Sequence, residues 1–399
     1  MKKVKTIDTL DLSGKRVLVR ADLNVPMRNG RITDSTRLMR MAPTVKELVA
    51  KGATVIVISH FGRPKGVAAE GFSLRPLVEA LSGVVGRPVT FIEDCVGAKV
   101  EWALSIMPEG HVALLENLRF HPGEERNAAG FAGGLAALAD CYVNDAFSCA
   151  HRAHASTSAI AHLLPAAAGR LMQAELEALG KALDDPQRPL AAIVGGAKVS
   201  TKMEVLGNLA AKVNLLIIGG AMANTFLHAE GIDVGNSLYE HDMVDSAHAI
   251  MTAAKATGAE IMLPRDAVVA LEGAAGVEHQ TVSVTAVPKN ARILDIGPGT
   301  AAAVTMRLSR CRTLVWNGPF GAFETPPFDA GTNEVARAVA RMTMKGDLIS
   351  VAGGGDTVAA LANTGAGSSF TYVSTAGGAF LEWLEGKELP GVSALYEDS

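Results

Sequence analysis

Short apolar runs recur along this chain, and each stops abruptly at a crop of glycine or polar residues. In the first half the crops carry arginine, histidine and carboxylates. Val17-Leu18-Val19 leads into Arg20-Ala21-Asp22-Leu23-Asn24, and Val55–Ile58 leads into Ser59-His60-Phe61-Gly62-Arg63. Val112–Leu115 leads likewise into Glu116-Asn117-Leu118-Arg119. In the second half the crops are glycine. Ile193-Val194 meets Gly195-Gly196, Leu215–Ile218 meets Gly219-Gly220, Val315-Trp316 meets Asn317-Gly318, and Val351-Ala352 meets Gly353-Gly354-Gly355-Asp356. Runs of this kind are the pattern of strands buried on both faces of a parallel sheet, and open α/β sheets bind ligands outside their carboxyl ends. The change of crop predicts two sheets with two different anionic ligands. Arginines suit a small acid or phosphate; glycines suit a nucleotide whose phosphates touch backbone N–H groups.

Segments of helical period separate the runs. Met41, Val45, Leu48 and Val49 fall on one helical face, with Gly52 as a stop, and helices are expected through Leu74–Leu81, after Gly97 and over Ala128–Leu138. The alternation resumes after Leu190 and runs to about Leu384, so the fold class expected is α/β, with two doubly wound, Rossmann-like parallel-sheet domains. Between them Met172, Leu176, Leu179 and Leu183 form one stripe, which Pro186 and Pro189 bring to an end. The expected divisions are residues 1–171, a joining helix and hinge over 172–189, 190–383, and a tail over 384–399. A length of 399 residues fits two domains at roughly 100–200 residues each.

A net charge of −4 gives no reason to expect nucleic acid as a partner, so the arginines must be concentrated locally if they act on an anion. Cys95, Cys141, Cys149 and Cys311 form no Cys-x-x-Cys pair and no metal spacing with histidine; they read as buried thiols of a reducing compartment. Met1–Asp8 lacks the apolar core of a signal peptide, and no apolar stretch approaches the ~20 residues of a membrane span. The expectation is a soluble cytoplasmic protein.

In the glycine-ended half no P-loop is present, and His151-Arg152-Ala153 lacks the aspartate of a protein-kinase catalytic loop. Gly297-Pro298-Gly299-Thr300-Ala301-Ala302 matches a dinucleotide fingerprint, but the strand after it ends in Asn317 where an acid for the ribose is wanted. Gly353-Gly354-Gly355-Asp356-Thr357 places free N–H groups at a helix start, a site for phosphate, with Asp356 as helix cap or Mg²⁺ ligand; a plain strand-to-helix turn is the other reading. Lys198 and Lys202 are expected on the first turns of the helix after Gly196. There they repel each other and oppose the helix dipole, and an anion between them would remove both penalties; solvated lysines are the alternative. In the arginine-ended half Asp22, Asn24, Arg37, His60, Arg63, Arg119 and Arg152 lie at or just beyond run ends. Guanidinium forks suit carboxylate and phosphate, although any one of these arginines read alone is better explained by a surface ion pair. The arginines around His60 favour a donor to an anion over a metal ligand, and His151-Arg152-Ala153-His154 has no third ligand nearby for zinc.

Taken in order, these stretches resemble the phosphoglycerate kinase family over essentially the whole chain. The resemblance rests on Arg20–Pro26, Ser59–Pro64, Leu115–Phe120, Asn144–Phe147, Ala150–Ser156, Gly195–Lys202, Asp295–Pro298, Trp316–Pro319 and Gly353–Thr357. It implies reversible phosphoryl transfer between 1,3-bisphosphoglycerate and ADP, giving 3-phosphoglycerate and ATP with Mg²⁺, by a monomer. Carried over by position, Asp22, Leu23, Asn24, Arg37, His60, Phe61, Gly62, Arg63, Arg119 and Arg152 would hold the phosphoglycerate. Lys198, Lys202, Gly297, Asn317, Glu324, Gly353, Gly354, Gly355, Asp356 and Thr357 would hold the nucleotide, with Asp356 on Mg²⁺ and Arg37 and Lys202 catalytic. The resemblance also implies that the tail returns to the first domain; because the two ligand sets lie on separate lobes and water must be excluded, a hinge is expected to close when both ligands bind. Two departures stand out: Ala376 where the family often has glycine, which is expected to cost a permissive backbone position, and Ser148-Cys149 in place of Gly-Thr. A nicotinamide-dependent oxidoreductase and a non-catalytic two-lobed anion-binding protein are the alternatives.

Overall fold

The computed structural model describes residues 3–397 and divides the chain into two units, Met1–Leu176 with Glu388–Ser399, and Glu177–Lys387. The first unit is built on six parallel strands: β1 (Arg16–Arg20), β2 (Thr54–Ile58), β3 (Val89–Ile92), β4 (Val112–Leu115), β5 (Cys141–Asn144) and β6 (Ala166–Ala168). Every residue of β2, β4 and β5 is buried, as continuous apolar runs require when both faces of a sheet are covered. Val17, Val19, Val55, Val57, Leu114 and Val143 share one cluster with Leu38, Met41, Val45 and Leu48 of helix α1 (Thr36–Ala50). Burial of each such side chain contributes about 1.5–3 kcal/mol.

Strand order is β3-β4-β2-β1-β5-β6. The chain moves from β1 to β2 on one side and from β5 to β6 on the other, so the order reverses between β1 and β5. A crevice opens at such a border, outside the carboxyl ends. The residues after β1, β2, β4 and β5 therefore share one edge of the sheet. Glu388–Ser399 belongs to this unit: the Gly391 N–H donates to Ala150 O at 2.8 Å, and the Lys5 N–H donates to Leu395 O at 3.0 Å.

The second unit repeats the plan. Its parallel strands are β7 (Leu190–Val194), β8 (Leu215–Ile218), β9 (Glu260–Met262), β13 (Thr313–Asn317), β14 (Ile349–Gly353) and β15 (Tyr372–Ser374), in the order β9-β8-β7-β13-β14-β15. The reversal falls between β7 and β13. A separate antiparallel sheet, β11-β10-β12, is formed by β10 (Asp266–Ala270), β11 (His279–Ser283) and β12 (Arg292–Ile296). The run Ile293–Ile296 thus pairs antiparallel with β10 and is no part of the parallel sheet. The join expected from sequence is helix α2 (Arg170–Leu183), and the boundary between units falls inside it, after Leu176. Leu384 stays with the second unit, where its carbonyl accepts from Asn208 Nδ2 at 2.6 Å. Ala376 is not among the residues of positive φ; Gly377 takes φ +44°, so alanine at 376 carries no backbone penalty of the kind expected.

Fully buried Asn117, just after β4, shows how a strand end is held. Its Oδ1 accepts the N–H groups of Phe61 (3.1 Å) and Arg119 (3.0 Å), and its Nδ2 donates to Phe61 O (2.7 Å) and Phe72 O (2.8 Å). Asn117→Ala strips partners from four backbone groups where water has little access. The expected loss is about 3 kcal/mol, at 1–3 kcal/mol per buried group left unpaired with partial rehydration of the others. Urea unfolding checks this; a midpoint no lower than that of the exposed control Lys99→Ala would contradict it.

Candidate functional sites at the two strand-order reversals

At the β1–β5 reversal the arginine crop converges. Arg37 is the second residue of α1, where its charge opposes the helix dipole, and the anion that relieves it is internal. Its Nη1 lies 2.8 Å from Asp22 Oδ2 and donates to Asn24 O at 2.8 Å. Asp22 is held in turn by the Asn24 N–H (3.1 Å) and by the Ser148 hydroxyl (2.5 Å), which reaches across from the β5 side. Asn24 Oδ1 accepts the Gly62 N–H at 2.9 Å, and Arg119 Nη1 donates to Gly62 O at 2.7 Å. Arg119 is buried, with Glu125 Oε1 3.1 Å from its Nε as an ion pair. Burial lowers its pKa. Arg152 is half-buried and donates from Nε to His151 Nε2 at 3.2 Å; Arg63 is exposed and makes no hydrogen bond or ion pair among the described residues.

His60 is buried beneath these cations. Burial, then the fields of Arg20, Arg119, Arg152 and Arg37, hold its pKa well below the ordinary imidazole value. Arg20 Nη2 lies 3.2 Å from His60 Nδ1, and since arginine can only donate, Nδ1 accepts and the ring proton sits on Nε2. The neutral ring therefore has its one N–H donor at Nε2. Leu23 and Phe61 contribute backbone only: Leu23 is fully buried and its N–H goes to Ser59 Oγ, and the Phe61 N–H is taken by Asn117. Sequence reading missed the support under the site. Buried Arg20 donates from Nε to Ser156 Oγ at 2.9 Å, and Ser156 donates to Glu124 Oε1 at 2.5 Å. Glu124 lies four residues past the nearest recognised stretch, Leu115–Phe120, and nothing in its own spacing marks it.

At the β7–β13 reversal two backbones nearly touch. A Cβ on Gly195 would lie 2.0 Å from Pro319 O, and one on Gly318 would lie 2.1 Å from Gly195 O. Lys202 turns its Nζ into this contact, donating to Gly195 O (2.6 Å) and Asn317 Oδ1 (2.5 Å). It does so from the N-cap of helix α3 (Met203–Lys212), so the expected placement of Lys198 and Lys202 on the first helical turns is wrong. The cause is Glu240, whose carboxylate takes the Ser200 N–H at 3.0 Å and its hydroxyl at 2.5 Å and holds the segment in turns. Lys198 is left exposed in that segment.

Asn317 Nδ2 donates to Gly353 O at 2.8 Å, and the Gly318 N–H donates to Thr357 Oγ1 at 2.7 Å. Gly354, at φ +95°, caps helix α4 (Gly355–Thr364). The N–H groups of Gly355, Asp356 and Thr357 have no acceptor outside their own helix among the described residues, and the exposed Asp356 carboxylate makes no hydrogen bond or ion pair there. A cavity of about 370 Å³ opens beside them, lined by Gly196, Gly220, Phe320, Glu324 and Asp356 among others. Gly297 is not part of its lining. The Gly297–Ala302 fingerprint opens helix Pro298–Leu308, but Asp266 already caps it, taking the N–H groups of Gly299 (2.9 Å) and Thr300 (2.7 Å). A pyrophosphate has no place at that helix start, which removes the sequence feature behind the nicotinamide reading.

A sequence model of the family described as phosphoglycerate kinase matches residues 7–387. The chain belongs to the phosphoglycerate kinase family. The phosphoglycerate kinase of Rhodospirillum centenum is 60% identical over 391 residues, 98% of this chain and 99% of that one. That of Azorhizobium caulinodans is 60% identical over 395 residues, 99% of this chain and 100% of its own length. The solved phosphoglycerate kinase of Coxiella burnetii superposes with a TM-score of 0.92 at 42% identity, covering 98% of this chain and 99% of that one. Membership of this family makes the chain a phosphotransferase with a carboxyl group as acceptor and ATP and ADP as its nucleotides. No helix among the described residues is long and apolar enough to cross a membrane.

Burial lowers the Lys202 pKa to about 8, with the Asp356 carboxylate opposing the shift. Without ligand its ammonium should lose a proton as pH rises through about 8, and an added anion should move that midpoint upward. Carbon-13 NMR of labelled lysine, with the signal assigned through Lys202→Met, checks both. A midpoint at the ordinary 10.5 would show Nζ to be solvated.

Proposed function

We propose that the first unit holds 3-phosphoglycerate or 1,3-bisphosphoglycerate and the second holds ATP or ADP, in the reversible transfer typical of the family. Arg37, Arg63, Arg119 and Arg152, with the Nε2–H of His60, supply the cations and donors for the acid. Asp22 and Asn24 fix Arg37 and offer acceptors to a ligand hydroxyl, while Leu23, Phe61 and Gly62 shape the wall through their backbone. Lys202, Asn317, Glu324 and the Gly353–Thr357 turn take the nucleotide; Lys198 attracts it from the exposed segment, and Gly297 lies behind the wall. Each ligand set comes from a single chain, so no partner chain is needed.

In the ATP-consuming direction the acceptor is a carboxylate, already ionised at pH 7, so no general base is required. Its oxygen bonds to the γ-phosphorus while the bond from that phosphorus to the β–γ bridging oxygen breaks, and ADP leaves with the electron pair. Catalysis is then positioning plus neutralisation of charge on the transferred group. Arg37 and Lys202 supply the cationic part, the free N–H groups of α4 supply donors, and exclusion of water protects the acyl phosphate from hydrolysis. The exposed Asp356 carboxylate fits Mg²⁺, a hard cation that takes one or two carboxylates together with substrate phosphates. Such an ion would offset phosphate charge when bound.

The observation that carries this reading is Lys202, half-buried among neutral acceptors beside a helix start with unoccupied N–H groups. Arg37→Ala and Lys202→Ala should each lower kcat by about 100-fold or more, with smaller changes in KM. ADP release dependent on 3-phosphoglycerate measures this, with circular dichroism to confirm folding. An intact kcat in either variant would remove that residue from the transition state.

A further inference from the structure

Two clusters in the first unit bring aspartate, cysteine and histidine within 4.8 Å of one another: Asp22, His60 and Cys149, and Asp94, Cys95 and His121. Electrostatics separates them. The first lies in the field of Arg20, Arg37, Arg119 and Arg152, which repels a cation. The second has the carboxylates of Asp94, Glu116 and Glu124 around Cys95, a negative field that favours a divalent ion. Only the spacing of sequence neighbours hid this cluster. Asp94 and Cys95 follow β3, and His121 comes six residues after β4, the strand paired with it.

We propose that Asp94, Cys95 and His121 form a zinc(II) site. Thiolate, imidazole and carboxylate are the ligand set zinc prefers, with a fourth position left for water. Zinc bonds of 2.0–2.3 Å set tetrahedral ligands about 3.4–3.6 Å apart, so the cluster closes on an ion with roughly an ångström of side-chain movement. His121 Nε2 lies 2.7 Å from Asp94 Oδ1, which also accepts the Cys95 N–H at 2.7 Å. Asp94 Oδ2 and the buried Cys95 Sγ make no hydrogen bond among the described residues. Asp94 and His121 are partly exposed, which gives the ion a way in, and His121 stacks on Phe131 with ring centroids 5.2 Å apart. Binding forms bonds from zinc to Sγ, a ring nitrogen and a carboxylate oxygen, and the thiol proton leaves to solvent.

The test is titration of the full chain, freed of metal by chelation, first with zinc(II) by calorimetry and then with cobalt(II) by absorbance. The expected result is one ion per chain and a thiolate-to-cobalt charge-transfer band that Cys95→Ser abolishes and Cys149→Ser retains. His121→Gln should weaken binding by more than about tenfold while leaving near-ultraviolet circular dichroism unchanged, so it decides the matter if Cys95→Ser does not fold. No stoichiometric binding, a band lost with Cys149 instead of Cys95, or undiminished affinity in His121→Gln would each overturn the proposal.

Discussion

The side-chain amide of Asn317 is the joint on which the second unit's site depends. Its Oδ1 accepts Lys202 Nζ and its Nδ2 donates to Gly353 O at the end of β14, while its main-chain carbonyl takes the Gly195 N–H at the end of β7. One buried residue therefore ties together three strand ends and the lysine. The arrangement works only because the flanking backbones come close enough, and the short distances that a Cβ on Gly195 or Gly318 would meet show why glycine ends these strands. The glycine crops are thus first a packing solution at a strand-order reversal. Open N–H groups at the start of α4 are a consequence of the same geometry.

The first unit solves the equivalent problem with charge. Its strand ends are fixed by Asn117 and by Arg20, which reaches Ser156, Ala21 O and His60 at once. Placing a guanidinium under the site makes the crevice positive from below, and burial first, then that field, keeps His60 neutral. A protonated His60 would add a cation without adding a site for one, whereas the neutral ring offers a donor at no cost in repulsion. Ser148 and Arg37 both meet Asp22 Oδ2, so the reversal between β1 and β5 is bridged by a hydrogen-bonded ion pair.

Much of this was legible in the chain because it depends on period and punctuation. Uninterrupted apolar runs gave both parallel sheets, and their terminal crops gave the edges where the polar residues gather. What stayed hidden depends on contacts between residues distant in sequence. Glu240, 40 residues from Ser200, turns the Lys198–Lys202 segment out of the helix that its local pattern suggested. Asp266 occupies the helix start that the Gly297 fingerprint advertised, from 33 residues away. Glu124 is invisible for a further reason: a buried carboxylate has the sequence signature of a surface one, and only its partners distinguish the two.

Both reversals hold cations in surroundings that satisfy them only in part. Lys202 has carbonyl and amide acceptors, and its burial still lowers its pKa to about 8. The sign matters for stability. A lysine whose folded pKa lies below its unfolded value works against folding wherever it is charged, below about pH 8, and that burden fades as pH rises toward 10.5. Arg119 carries a burden of the same sign, since burial lowers its pKa too, although its guanidinium stays charged throughout. An anion in either crevice relieves these costs, so ligand binding recovers free energy that folding gave up. On the function proposed above, groups that the fold leaves under-satisfied would be worth most where negative charge is densest, on the phosphoryl group in transit between two anionic partners.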